Sequence, residues 1–141
     1  MGALPARADV EAGLQSVAAA EPDVLAAYVF GSIARGTSGP LSDIDIAVLF
    51  RDPTRREEVR GRLTDALSRR LRSSRVDVID LDRAPVNLRY HVLRDGRRIV
   101  CRDRGRVQRL AAATVREYLD FKPLRDRAFQ VMRAAIVGRG D

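Results

Sequence analysis

Apolar positions along the 141-residue chain follow two alternating periods. Val10, Leu14, Val17 and Ala18 share one face at helical spacing, which predicts a helix over residues 8–20, ended by Glu21-Pro22-Asp23. Residues 24–30 form an unbroken apolar run of strand length that Gly31 stops, and residues 37–41 are turn formers. A second strand is expected over 42–50, closed by Arg51-Asp52-Pro53. From 54 to 72 Val59, Leu63, Leu67 and Leu71 return every fourth residue, with Ala66 widening the stripe. The other side of that helix is arginine with Glu57, Glu58 and Asp65, read as a solvated surface laced with ion pairs. Residues 75–81 read as a third strand and 98–102 as a short fourth. Between them Leu88 and Val92 stand at helical spacing and Gly96 is placed to end a helix, although Asp95-Gly96 also suits a hairpin turn. Two helices finish the pattern. The first carries Val107, Leu110, Ala111, Val115, Tyr118 and Leu119; the second starts after Pro123 and carries Leu124, Val131, Met132 and Ile136. Gly138-Arg139-Gly140-Asp141 is expected to fray.

Strands interleaved with helices predict an α/β or α+β layer, a small sheet covered by helices. The length suits a single domain over 1–141, with a core at 8–102 and C-terminal helices at 103–137. An apolar content of 45% permits a packed core, and no apolar run reaches the length of a membrane span. The opening residues lack the layout of a signal peptide, and Cys101 has no cysteine to pair with, so a cytoplasmic protein fits. The net charge of +7 rests on arginine, Lys122 being the sole lysine. Such a balance suits nucleic acid, an acidic protein or a polyphosphate, and arises equally from a GC-rich genome. No helix-turn-helix or RNA-reading motif accompanies it, so direct nucleic-acid binding is not expected.

The chemistry concentrates in two adjoining stretches. At Gly31-Ser32 a strand gives way to a short helix, whose first N–H groups favour an anion, and a glycine lets phosphate approach the main chain. Asp43-Ile44-Asp45 then opens an apolar run. Alternation sends both carboxylates to one face, their Cα atoms roughly 7 Å apart. Acids inside so apolar a run are costly without partners. A phosphate cradle beside a carboxylate pair is what metal-assisted phosphoryl or nucleotidyl transfer requires. His91 is the only histidine and cannot build a zinc site with one distant cysteine, so it reads as structural or exposed. Tyr90, Tyr118 and Cys101 read as packing residues.

Gly31-Ser32, Ala34-Arg35-Gly36 and Ser42-Asp43-Ile44-Asp45 together resemble the GS-x-x-RG…SDxD signature of the polymerase-β-like nucleotidyltransferases. The small size is similar to the minimal nucleotidyltransferases, the MntA-like antitoxins. The resemblance implies a nucleotidyltransferase palm: a mixed twisted sheet of about four strands flanked by helices. It implies ATP as substrate and Mg²⁺, in two ions, held by Asp43, Asp45 and a third acid on the next strand. Asp77 matches the third acid; Asp80 is its rival, on the opposite face by alternation. Gly31 and Ser32 would hold the β- and γ-phosphates, and Arg35 would neutralise the departing pyrophosphate. Ser42 is grouped with the nucleotide-binding residues, its local role being to fix the strand entry, and Gly36 ends the short helix. The resemblance further implies a type VII antitoxin that transfers AMP to a tyrosine of a HEPN RNase toxin. The alternatives are an antitoxin that only masks its toxin, or a nucleotidyltransferase acting on an antibiotic.

Overall fold

A computed structural model describes residues 4–39 and 42–139, with the side chains at 121–125, 128–129 and 136–139 outside the description. The apolar run Val24–Phe30 (β1) lies at the centre of a four-stranded sheet. Ile44–Phe50 (β2) pairs antiparallel with it on one side and Arg97–Cys101 (β4) on the other, while Val76–Asp80 (β3) runs parallel to β2 at the edge. The spatial order is β3-β2-β1-β4. The sheet is therefore mixed, as the family resemblance implies. The parallel β2–β3 pair requires a crossover, and Arg56–Leu71 supplies it.

Strand alternation sorts the apolar side chains into two clusters. Ile44, Ile46 and Val48 of β2, with Val29 and Val78, meet Val10 and Leu14 of the first helix, Arg7–Ala19 (α1), and Val59, Leu63 and Leu67 of the crossover helix. Each of these leucines is fully buried, worth about 1.5–3 kcal/mol of transfer free energy. Ala47 and Leu49 point the other way, with Leu25, Tyr28, Leu81, Val92, Val107 and Leu110. Two further helices cover that face, Val86–Asp95 and Arg104–Arg139. Between β1 and β2 stands the five-residue helix Gly31–Arg35 (α2), so the crossover helix is α3 and the two on the second face are α4 and α5.

The sheet end that carries β1's last residue and β2's first residues gathers the polar chemistry. Gly36 ends α2 with φ +72, the left-handed geometry expected of it. Residues 86–95 are helical, so the hairpin alternative at Asp95-Gly96 does not occur, but Gly96 leaves α4 at φ −67 and not in a left-handed turn. Where the sequence suggests two C-terminal helices parted at Pro123, the structure has one helix of 36 residues. A proline removes one donor and strains one turn at a cost of about 3 kcal/mol, and helix formers on both sides carry the helix through. Met1-Gly2-Ala3, Pro40, Leu41, Gly140 and Asp141 lie outside the described residues. Among the described residues no helix is long and apolar enough to cross a membrane.

Candidate active site

Asp45 is the second residue of β2 and stands opposite Phe30, the last residue of β1, and opposite Asp77 on β3. The antiparallel pairing brings its carboxylate against the turn that starts α2. A Cβ built on Gly31 would lie 2.2 Å from Asp45 Oδ2, and Gly31 has φ +75. Both the left-handed backbone and the carboxylate in the space of the missing side chain require glycine there. The parallel pairing sets Asp45 and Asp77 side by side on one face, with Ala47 and Ile79 next along the same row. Alternation thus gives Asp45 and Asp77 one face, whereas the expected strand over 42–50 begins only at Ile44 and leaves Asp43 outside the alternation.

The electrostatics record this crowding. Burial, then the Asp77 carboxylate, then that of Asp43, push Asp45 from the usual 3.8 up to about 6, and Arg35 pulls the other way. Asp43 precedes β2, is well exposed, and faces Arg75 across 3.6 Å. Asp77 is exposed on the edge strand. Among the described residues no group of three or more acidic, histidine or cysteine side chains is drawn together to hold a metal ion as it stands. Asp43, Asp45 and Asp77 are nonetheless residues of the kind that could hold Mg²⁺. All three groups are hard carboxylate oxygens, and Asp45 carries the destabilised charge that a cation would relieve.

Asp80, the rival acid, is committed elsewhere. It lies opposite Val48 on the α1–α3 face and accepts from the N–H of Asp82 at 3.1 Å, capping the turn Leu81–Arg83. Its other oxygen sits 3.1 Å from Arg56, out of line for a hydrogen bond. Ser42 accepts a hydrogen bond from the N–H of Gly39 at 2.9 Å, the local role its sequence position suggests. Ser32 is half-buried in α2, its carbonyl accepting from Thr37 N–H at 2.9 Å. Arg35, exposed at the end of α2, lines a pocket of about 600 Å³ with Gly31, Leu88, His91 and Asp95. Sequence reading did not find that pocket, because α4 reaches it only through the tertiary fold. His91 is exposed, as expected, 3.9 Å from Asp95 and edge-on to Tyr90 and Tyr118. The two tyrosines stack face to face at 3.8 Å, the packing role the sequence suggests.

A second concavity, of about 300 Å³, opens on the far side of Asp77 between α3 and α4 and holds Arg60 and Arg83. Neither arginine is distinguishable in sequence from the other surface arginines. Arg60 donates to Glu57 at 2.7 Å, and its charge bears on Asp77.

Residues 13–105 match the family described as polymerase beta, nucleotidyltransferase. A search of curated protein sequences returns no significant match. Among solved structures, a chain from a toxin–antitoxin complex with AMP-PNP superposes with a TM-score of 0.69 at 27% identity, over 86% of this chain and 97% of its own. A chain from a mutant of the toxin–antitoxin pair MntA–HpeT does so with a TM-score of 0.64 at 28% identity, over 82% and 90%. A third, from a complex of tri-AMPylated Shewanella oneidensis HEPN toxin with MNT antitoxin, shares the fold with a TM-score of 0.65 at 24% identity, over 89% and 98%.

Proposed function

The chain belongs to the polymerase beta nucleotidyltransferase family, and from that premise we propose that it is an antitoxin that transfers AMP from ATP to a tyrosine of a partner HEPN toxin. One observation carries the reading: Asp45 and Asp77 stand side by side across two strands, and the Asp45 carboxylate fills the space beside Gly31 where a phosphate clasp begins. The likeness to chains from toxin–antitoxin complexes, one with a bound ATP analogue, supports the partner and the nucleotide.

The N–H groups at the start of α2 and the Ser32 hydroxyl hold the β- and γ-phosphates, and Arg35 offsets the charge that collects on pyrophosphate as it leaves. Asp43, Asp45 and Asp77 would hold Mg²⁺, which when bound polarises the phosphoryl oxygens and lowers the acceptor's pKa. Asp77, one strand farther from the phosphate turn than Asp45, takes the proton of the tyrosine hydroxyl. The new bond joins that oxygen to the α-phosphorus, the bond from the α-phosphorus to its bridging oxygen breaks, and pyrophosphate departs.

Among the described residues of the long helix α5, Val115, Leu119, Val131 and Met132 leave much of their apolar surface exposed. They favour a second reading in which binding alone silences the toxin. Intact-mass measurement of the partner after incubation with ATP, Mg²⁺ and this protein separates the two. A mass gain of whole AMP units, absent with Asp43→Asn/Asp45→Asn, is expected. No gain with the wild type, together with full rescue of growth by the double variant, would leave masking as the activity.

A further inference from the structure

In-line displacement places the entering oxygen opposite the leaving pyrophosphate. The turn that seats the pyrophosphate ends β1, Asp45 follows on β2, and Asp77 on β3, the edge of the sheet. Along that row the entering group arrives from beyond Asp77. The groove of about 300 Å³ lies there, with Asp77 on its wall and Pro85 and Leu88 offering an apolar side to a ring.

The charges of this groove are unequally committed. Asp80 faces Arg56 at 3.1 Å. Arg60 pairs with Glu57 at 2.7 Å and donates to the Val78 carbonyl at 3.5 Å, covering the free edge of β3. Arg83, exposed at the end of the turn Leu81–Arg83, has no hydrogen bond or ion pair among the described residues and bears on Glu57 only at longer range. An arginine with unused donors beside the catalytic row is a fork for a carboxylate or phosphate.

Resting on the nucleotidyl-transfer reading, we propose that this groove seats the acceptor and that Arg83 recognises an anionic group next to the accepting hydroxyl. Two sources share that chemistry. One is an acidic side chain flanking the acceptor tyrosine; the other is the phosphodiester of a nucleotide already attached to it.

The test titrates the full chain, with Mg²⁺ and without ATP, against three labelled tyrosine peptides followed by fluorescence anisotropy. One is neutral, one has flanking Asp and Glu, and one carries AMP on the tyrosine of the neutral sequence. At least one anionic peptide should bind on the order of tenfold more tightly than the neutral one, and the peptide that does so identifies the source. Arg83→Glu should erase the preference and Arg83→Lys keep part of it, with ATP affinity unchanged in both. Equal affinity for the three peptides, no binding up to millimolar concentration, a preference that survives Arg83→Glu, or a parallel loss of ATP affinity each overturns the proposal. Failure of the underlying reading shows separately, as absence of AMP transfer by the wild type.

Discussion

Asp45→Asn should make the protein more stable while abolishing its activity. Burial and the neighbouring Asp77 and Asp43 carboxylates raise Asp45 from 3.8 to about 6 in the folded protein. A rise of that size disfavours the ionised form by about 3 kcal/mol, and because Asp45 is partly open to solvent, screening reduces the effect to about 1 kcal/mol. The sign follows from proton binding. Below 3.8 the side chain is neutral whether the chain is folded or not, and asparagine changes little. Between that value and about 6 the unfolded chain releases its proton while the folded one retains it, so the wild type loses stability as pH rises. Above about 6 the loss is complete. Urea denaturation in the absence of Mg²⁺ should therefore find the variant more stable by about 1 kcal/mol at pH near 7.5, with about half that gain left near pH 5. Transfer activity should fall at least about 100-fold. Equal stability at both pH values, or a variant less stable than the wild type near pH 7.5, would refute the claim that Asp45 carries a strained charge awaiting a cation.

Other substitutions probe the same architecture. Asp77→Asn, on an exposed edge strand, should abolish transfer with little change in stability. Asp80→Asn should leave transfer within a few-fold of wild type, and Arg56→Ala should cost about 1 kcal/mol by removing the ion partner of Asp80, which keeps its bond from the Asp82 N–H, read by thermal and urea unfolding. Gly31→Ala drives a methyl group into the Asp45 carboxylate at a left-handed position and should destabilise by about 1–3 kcal/mol and eliminate ATP binding in calorimetry. Arg72 closes α3 at φ 52 without being glycine, so Arg72→Gly should raise stability by about 0.5–1 kcal/mol, visible as a higher urea midpoint.

What could be read in the sequence was what depends on neighbours along the chain. The period of Val59, Leu63 and Leu67 located α3 because one helix face must be buried whatever it meets. The pairing of Gly31-Ser32 with Asp43-Ile44-Asp45 was legible because turn chemistry and strand alternation are local. That Asp77, and not Asp80, shares a face with Asp45 needed the register of a parallel pair joined by a crossover, which no local period encodes. Arg102 shows the same limit. It reads as one more surface charge, yet its guanidinium donates to the carbonyls of Ala18, Glu21 and Val24 and fastens the end of α1 to the sheet. Pro123 misled in the other direction, since a local helix breaker was outweighed by the formers on either side of it.

Parallel incubations of a HEPN toxin, the proposed partner, with ATP labelled at the α- or the γ-phosphate measure most directly which bond this centre breaks. Label is expected on the toxin from the α-position only, with γ-label released in pyrophosphate, and both signals lost in Asp77→Asn. Label arriving from the γ-position, or α-label transferred equally well by the variant, would contradict it.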